Sequence, residues 1–193
     1  MEGIKQGDWP DKACGYKLIG PIGQGSFGLV WKAECISEES PHKGKTVAVK
    51  IVDLEHFQDG NMDDIRKEIN IMSSCRHKNV VSYFISFTDE SDLWLVMPLL
   101  GAGSVSDVMK SSFQDGIKDE VIIATIMRQV IEALQYFHSQ NQIHRDIKAG
   151  NILMDDNGEV YLSDFGVSAH VKVGHKRQTF VGSPCWMAPE VME

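Results

Sequence analysis

A polar stretch followed by a short acidic motif most constrains what this chain can fold into. The stretch runs from Ile143 to Asn151 and contains His144-Arg145-Asp146 and Lys148, and the motif is Asp164-Phe165-Gly166. Asp146 can take a proton from a hydroxyl, and Asn151 and Asp164 offer the hard oxygen ligands that Mg²⁺ prefers. The alternative is a polar turn between two strands, which accounts for the turn but not for these residue types occurring together.

A turn signal lies between the two halves of this pattern. Asn157-Gly158 is typical of a turn between two strands of a hairpin. The turn predicts a small hairpin with Asn151 and Asp164 at its facing ends, where the two side chains can share one metal ion.

A glycine-rich loop lies between two predicted strands near the start of the chain. The loop is Gly23-Gln24-Gly25-Ser26-Phe27-Gly28, and Tyr16 to Ile19 and Leu29 to Ala33 flank it. Glycines let backbone N–H groups approach a polyphosphate closely. A dinucleotide-binding turn has the same spacing but opens a helix, whereas β-forming residues follow here. The pattern therefore favours a phosphate-covering loop between strands.

Lys50 occupies an otherwise apolar face of a predicted strand, Thr46 to Val52. One interpretation is a lysine whose stem extends to water. The other is an ammonium group held over phosphates and fixed by a carboxylate. Glu68 flanks a helical apolar stripe and is the candidate partner, so we favour the ion pair.

The remaining pattern indicates an α+β fold with β structure first and helices later. Residues 1–15 are predicted to be a loosely ordered lead-in, and Met97 to Gly103 a hinge. Further predicted elements are strands at Asn79 to Phe87 and Leu93 to Met97 and helices at Ser104 to Met109 and Lys118 to Ser139. The long helix has a wide apolar stripe that predicts a buried core helix.

Composition excludes several classes of protein. The net charge of −8 argues against a nucleic acid or an anionic membrane as the main partner. The N-terminal residues have no apolar signal region, and the four cysteines are scattered. We expect reduced thiols and a cytoplasmic location.

These motifs occur in the order found in eukaryotic protein kinases, and residues 16–193 resemble that family. The matching positions are Gly23-x-Gly25-x-x-Gly28-x-Val30, Val47-Ala48-Val49-Lys50, Glu68, His144-Arg145-Asp146, Asn151, Asp164-Phe165-Gly166 and Ala188-Pro189-Glu190. The resemblance implies a bilobal fold. An antiparallel sheet with one helix would form the N-lobe (residues 16–97), a hinge would follow (98–103), and a mainly helical C-lobe (104–193) would be incomplete, leaving apolar surface of the long helix uncovered.

The resemblance also implies roles for individual residues, with ATP and Mg²⁺ as cofactors. Lys50 would hold the α- and β-phosphates and pair with Glu68, Asp146 would deprotonate the substrate hydroxyl, and Lys148 would steady the γ-phosphoryl group. Asn151 and Asp164 would hold Mg²⁺. The nucleotide would contact Ile22, Gly23, Gln24, Gly25, Ser26, Phe27, Gly28, Val30, Ala48, Met97, Pro98, Leu100 and Leu153, with Met97 as gatekeeper.

Within the family, the chain resembles the Fray branch of the sterile-twenty-like serine/threonine kinases. Lys148 and Ser183 agree with the serine/threonine class, whose substrates are proteins, and the resemblance implies that Ser183 is a regulatory residue together with Thr179 and Arg145. In that branch a with-no-lysine kinase would phosphorylate the position of Thr179, in stress or ion-homeostasis signalling. The new phosphate would pair with Arg145. Two other interpretations stay open: a kinase-like binding module without catalysis, and a product that does not fold.

Overall fold

The computed structural model describes residues 8–25, 28–55, 75–164, 169–170 and 183–192. The chain divides into two compact units. Unit 1 comprises Met1–Cys75 and Val81–Leu99, and unit 2 comprises Arg76–Val80 and Leu100–Glu193.

Unit 1 is built on a five-stranded antiparallel sheet with the order β1-β2-β3-β5-β4. Its strands are β1 (Tyr16–Gly25), β2 (Gly28–Cys35), β3 (Thr46–Asp53), β4 (Ile85–Asp89) and β5 (Asp92–Pro98). The glycine-rich loop closes the β1–β2 hairpin, with Gly25 paired to Gly28. The prediction that strands flank this loop on both sides is therefore confirmed.

The predicted strand from Asn79 to Phe87 was wrong over its first half. β4 begins only at Ile85, and in residues 79–84 only Val80 forms a bridge, to Leu162. Asn79 is instead hydrogen-bonded within unit 2, where its side chain donates to Gln129 and Val160 and its carbonyl oxygen accepts from the Leu162 N–H.

The N-terminal segment, residues 8–15, covers one face of the sheet. Trp9 is only 5% exposed and belongs to a core cluster with Val47, Val49 and Trp94. Its ring stacks between His42 and Phe84, at centroid distances of 4.0 and 4.6 Å. The prediction of a loosely ordered lead-in was wrong for these residues, because Trp9 is an integral part of the core.

Unit 2 contains three helices among its described residues: α1 (Val105–Ser112), α2 (Glu120–Ser139) and α3 (Pro189–Met192). Ser104 caps α1 with a capping box that Asp107 completes. Asp119 caps α2, accepting a hydrogen bond from the Val121 N–H. The long helix thus begins two residues after the predicted Lys118 start.

The apolar stripe of α2 is buried on one side only. Ile126, Val130 and Phe137 are buried. Three other apolar residues of the stripe, Ile122, Ile123 and Met127, are 38–42% exposed. Val121 and Ile131 are more exposed still. A helix buried around its whole apolar stripe was therefore the wrong expectation, whereas uncovered apolar surface on this helix was expected.

A polar network that is buried at Asn79 and Gln129 holds residues 76–80 in unit 2. The Gln129 Oε1 accepts hydrogen bonds from Asn79 Nδ2 (2.9 Å) and from the Val160 N–H (3.0 Å). The Tyr136 hydroxyl accepts from the Arg76 N–H. The predicted boundary assigned residues 76–80 to the first lobe, but these contacts group them with α2.

The other strands of unit 2 are short. They are β6 (Gly103–Ser104), β7 (Gln142–Ile143), β8 (Ile152–Met154), β9 (Val160–Leu162) and β10 (Ala169–His170). β8 and β9 form the predicted hairpin, and Gly158 in its turn has φ of 83°. Within the described ranges, no helix has the length and apolar character needed to cross a bilayer.

Because Trp9 fills the core of unit 1, we expect Trp9→Ala to lower the free energy of unfolding by about 3–5 kcal/mol. Trp186 is 62% exposed, and Trp186→Ala should change it by less than about 0.5 kcal/mol. Urea unfolding followed by far-ultraviolet circular dichroism measures both. Equal effects of the two substitutions would contradict the packing of the N-terminal segment.

Candidate functional site

The stretch around Asp146 begins at a short strand and ends in a 3-10 turn. β7 pairs with β10, and Ala149–Asn151 forms the turn, in which the Asn151 N–H donates to the Lys148 carbonyl at 2.9 Å. β8 follows directly at Ile152. The backbone between β7 and β8 is therefore anchored at both ends.

His144 is a buried internal support of this stretch, only 2% exposed. Its Nδ1 accepts from the Asp146 N–H (3.3 Å), so Nε2 carries the proton and donates to the Ser163 carbonyl at 2.9 Å. Burial lowers the pKa of His144, and the Ser163 contact only partly opposes this. The imidazole therefore stays neutral and holds Asp146 against Ser163.

Four hydrogen bonds from side chains converge on Asp146, which is 7% exposed. Asn151 Nδ2 donates to its carbonyl oxygen and to Oδ2, both at 2.8 Å. The Ser183 hydroxyl donates to Oδ1 at 2.6 Å, and Lys148 Nζ lies 2.9 Å from Oδ2. Lys148 Nζ also donates to Ser183 Oγ at 2.8 Å, which closes a triangle of Lys148, Ser183 and Asp146.

These donors decide the charge of Asp146. Burial alone would raise the pKa of Asp146, but the hydrogen bonds from Ser183, Lys148 and Asn151 outweigh burial and lower it. The carboxylate is therefore ionised at neutral pH. An ionised, oriented carboxylate can accept a proton from a hydroxyl that reaches it.

Asn151 and Asp164 lie at the two ends of the β8–β9 hairpin. Asn151 precedes β8, and its carbonyl oxygen accepts bonds from the Ser163 N–H (2.9 Å) and hydroxyl (3.1 Å). Asp164 is the next residue after Ser163. The structure thus brings the neighbourhoods of the two predicted metal ligands together.

The donor set at this hairpin fits Mg²⁺. The side-chain hydrogen bonds of Asn151 to Asp146 both use Nδ2, which leaves the carboxamide Oδ1 for a hard cation. Among the described residues, no three His, Cys, Asp or Glu side chains cluster as a metal site. Mg²⁺ accepts such a sparse set, because it usually binds one or two carboxylates and completes its shell with water and phosphate.

Arg145 and Asp164 share an unusual backbone conformation. Their φ angles are 68° and 59°, in the left-handed region that non-glycine residues seldom adopt. Such strain persists only where surrounding contacts enforce it, and it is frequent at functional sites. Both residues belong to the predicted site.

Unit 1 places its predicted site residues on one face of the sheet. Val30 pairs with Lys50, and Ala48 pairs with Met97. Paired residues share a face, as do residues two apart in a strand, so these four side chains lie together. Lys50 is 5% exposed, which rules out a side chain that extends fully to water.

The glycine loop approaches β3 closely at one position. A Cβ added at Gly28 would lie 2.0 Å from the Ile51 carbonyl oxygen, so only glycine fits there. Ile22 is 49% exposed, and Gly23 and Gln24 pair with Val30 and Leu29. These residues lie in the β1–β2 hairpin.

Other predicted site residues divide between the units or lie outside the described ranges. Pro98 ends β5 in unit 1, whereas Leu100 and Leu153 are half-buried in unit 2. The predicted positions Ser26, Phe27, Glu68 and Thr179 lie outside the described residues.

Comparisons with known proteins show the family to which this chain belongs. The family model for the protein kinase domain matches residues 16–193. The chain belongs to the protein kinase family. It is 50% identical over 188 residues to Serine/threonine-protein kinase fray2 of Dictyostelium discoideum, covering 96% of this chain and 18% of that protein.

Two further kinases show similar relationships. Germinal center kinase 3 of Caenorhabditis elegans is 44% identical over 96% of this chain and 33% of its own length. Serine/threonine-protein kinase fray1 of Dictyostelium discoideum is 43% identical over 96% of this chain and 32% of its length. This kinase chain therefore spans about a fifth to a third of these curated relatives.

The sequence did not reveal two contacts of the kinase site. Ser183 was expected to be regulatory, yet its hydroxyl contacts Asp146 directly. Ser163 supports both His144 and Asn151. The position of Ser163 immediately before Asp164-Phe165-Gly166 is the only sequence signal that could have indicated its role.

Removing the Ser183 hydroxyl should raise the pKa of Asp146. We expect Ser183→Ala to raise this pKa. The substitution should also lower the free energy of unfolding by about 1–3 kcal/mol at pH 7, because hydrogen bonds to charged groups contribute this much. Since the folded pKa is lowered, this stabilisation is present above the unfolded aspartate pKa and is lost as pH falls through the folded value. Carbon-detected NMR titration of the Asp146 carboxyl group measures the shift.

Ser183→Thr is the matched control, because it keeps the hydroxyl and should keep the low pKa. An Asp146 pKa that is the same in Ser183→Ala and in the unsubstituted chain would show that the hydroxyl does not stabilise the carboxylate.

Proposed function

We propose that this protein kinase domain transfers the γ-phosphoryl group of Mg-ATP to serine or threonine hydroxyls of protein substrates. The observation that carries the proposal is the position of the Asp146 carboxylate, whose Oδ2 accepts a hydrogen bond from Asn151. The carboxylate already accepts a hydrogen bond from an aliphatic hydroxyl, that of Ser183, at 2.6 Å. A substrate serine or threonine presents the same chemical group.

Each side chain then has a distinct role. Asp146 orients the substrate hydroxyl and accepts its proton, while Asn151 and His144 hold Asp146 in place. Lys148 steadies the γ-phosphoryl group, and Lys50, with Glu68 as its predicted partner, positions the α- and β-phosphates. When bound, Mg²⁺ neutralises developing phosphate charge, and Asn151 and Asp164 would hold it.

The nucleotide base belongs to the same proposal. Val30, Ala48 and Leu153 would enclose adenine behind the β1–β2 hairpin, Met97 would limit the depth of the pocket, and the backbone of Pro98 and Leu100 would bond the base edge. The apolar sheet face shared by Val30, Ala48 and Met97 supports this assignment.

We further propose that a with-no-lysine kinase activates the protein, in stress or ion-homeostasis signalling in the cytoplasm. The similarity to kinases named fray1 and fray2 supports the branch, and four free cysteines accord with a reducing compartment. Phosphate on Thr179 would pair with Arg145, next to Asp146.

Asp146→Asn tests catalysis directly. We expect phosphate transfer from radiolabelled Mg-ATP to casein to fall by about 10²- to 10⁴-fold, because the general base is lost. Thermal stabilisation by Mg-ATP should persist, since binding does not need the carboxylate proton acceptor. Asp156→Asn, the same change in the exposed β8–β9 turn, should leave transfer unchanged.

The outcomes separate the two classes of function. Loss of transfer in Asp146→Asn alone supports the kinase. Stabilisation by Mg-ATP without transfer in the unsubstituted chain would instead indicate a kinase-like binding module.

Thr179→Ala tests the activation step. After incubation with a with-no-lysine kinase, the unsubstituted chain should gain activity and Thr179→Ala should gain none. Thr125→Ala, on the exposed face of α2, should be activated normally. Equal activation of Thr179→Ala and the unsubstituted chain would refute Thr179 as the activating position.

A further inference from the structure

Ser40 links the N-terminal segment to the loop between β2 and β3, residues 36–45. Its hydroxyl donates to the Asp8 carbonyl oxygen at 2.8 Å and accepts from the His42 N–H at 3.2 Å. The first bond joins residues 32 apart in sequence, and the second lies within the turn of the loop. One hydroxyl therefore connects the segment to the loop.

The same loop holds Trp9. His42, two residues after Ser40, stacks on the Trp9 ring at 4.0 Å, and its Nδ1 accepts from Lys45 Nζ at 3.2 Å. The loop also receives the Gly15 carbonyl, which accepts from the Ile36 N–H at 2.8 Å. A change at Ser40 thus acts on the docking of Trp9.

The docked segment carries an internal cost. Trp9 Nε1 and His42 Nε2 are both buried without a hydrogen-bond partner among the described residues. Buried unsatisfied donors oppose docking, while stacking and burial of the Trp9 ring favour it. Because these contributions to the docking free energy oppose each other, a local change of charge can shift the docking equilibrium of the segment.

Ser40 is partly exposed and directly precedes Pro41. Both of its neighbours, Glu39 and Pro41, are exposed. We propose that Ser40 is a phosphorylation site for a second protein kinase that selects serine before proline. We propose that the phosphate releases the N-terminal segment from the β2–β3 loop. The inference does not depend on whether this chain itself transfers phosphate.

In the modification, Ser40 Oγ attacks the γ-phosphorus of ATP held by the second kinase. The Oγ–P bond forms as the bond to the bridging oxygen breaks, ADP leaves with that electron pair, and a carboxylate of the second kinase takes the serine proton. The product has lost the hydrogen that bonded Asp8 and carries a charge of about −1.5 to −2.

The phosphate then finds donors in the loop but faces an acceptor at the segment. The His42 N–H already points at Oγ, and Lys43, now paired with Glu38, lies three residues away. The Asp8 carbonyl oxygen offers only repulsion. The attractive contact between Ser40 and Asp8 becomes unfavourable, and the docking equilibrium of the segment shifts toward the undocked state.

Labelling with a purified mitogen-activated-type kinase and radiolabelled ATP tests the modification. The Asp146→Asn form of the chain removes any self-labelling. Mass spectrometry should find phosphate at Ser40, and Pro41→Ala should abolish it. Absence of phosphate at Ser40, including labelling confined to Ser183-Pro184, would overturn the proposal.

Hydrogen exchange tests release. With phosphoserine installed at Ser40, exchange of residues 8–15 should rise by about tenfold or more, and Ser40→Ala should give a smaller rise. Phosphoserine at Ser112, the exposed last residue of α1, adds the same charge elsewhere and should leave the exchange of residues 8–15 unchanged. β3 should stay protected in all forms.

Two results would overturn release. One is equal protection of residues 8–15 with and without phosphate on Ser40. The other is loss of protection throughout β3, which would show that the phosphate unfolds the sheet and does not undock the segment.

Discussion

The hydrogen bonding of one buried carboxylate organises the stretch between β7 and β8 in unit 2. Asp146 is 7% exposed, and an unpaired charge at that depth would be costly. Donors from Asn151, Lys148 and Ser183 offset this cost. The same bonds keep the carboxylate ionised and fix its direction, so the contacts that stabilise the local fold also leave this carboxylate able to accept a proton.

In unit 1, a lysine side chain is buried against the sheet. Lys50 shares its face with Ala48 and Val52, which are also buried. The opposite face of β3, with Val47 and Val49, packs in the cluster that includes Trp9. The N-terminal segment therefore supports, from behind, the strand that carries Lys50. This arrangement explains why a polar segment without periodicity is part of the core.

The sequence predicted those parts of the fold that depend on local pattern. The period-two alternation of β3 and the Asn157-Gly158 turn are local signals, and both elements are present. The Asn79 to Phe84 stretch was wrongly predicted as strand. Asn79 is instead hydrogen-bonded to Gln129 and Val160, which lie far along the chain. Pattern alone cannot show such long-range partners.

The same limit applies to the site. Family motifs identified Asp146, Lys148 and Asn151, which the structure places in one hydrogen-bonded group. The contact between Ser183 and Asp146 joins residues 37 apart and has no local signature. The packing of Trp9 against His42 and Phe84 was missed for the same reason.

Binding of a metal–nucleotide complex at Asn151 and Asp164 is tested most directly by paramagnetic NMR, with Mn²⁺ substituting for Mg²⁺. Phe137, near the end of α2, lies 6.1 Å from the His144 ring. Val121 lies near the start of the same helix, about 24 Å from Phe137 along the helix axis. Adding Mn²⁺ and ATP should broaden the amide signals of Asn151 and Asp164 beyond detection and leave that of Val121 sharp. Unchanged Asn151 and Asp164 signals, or broadening equal to that of Val121, would contradict a nucleotide–metal site at this hairpin.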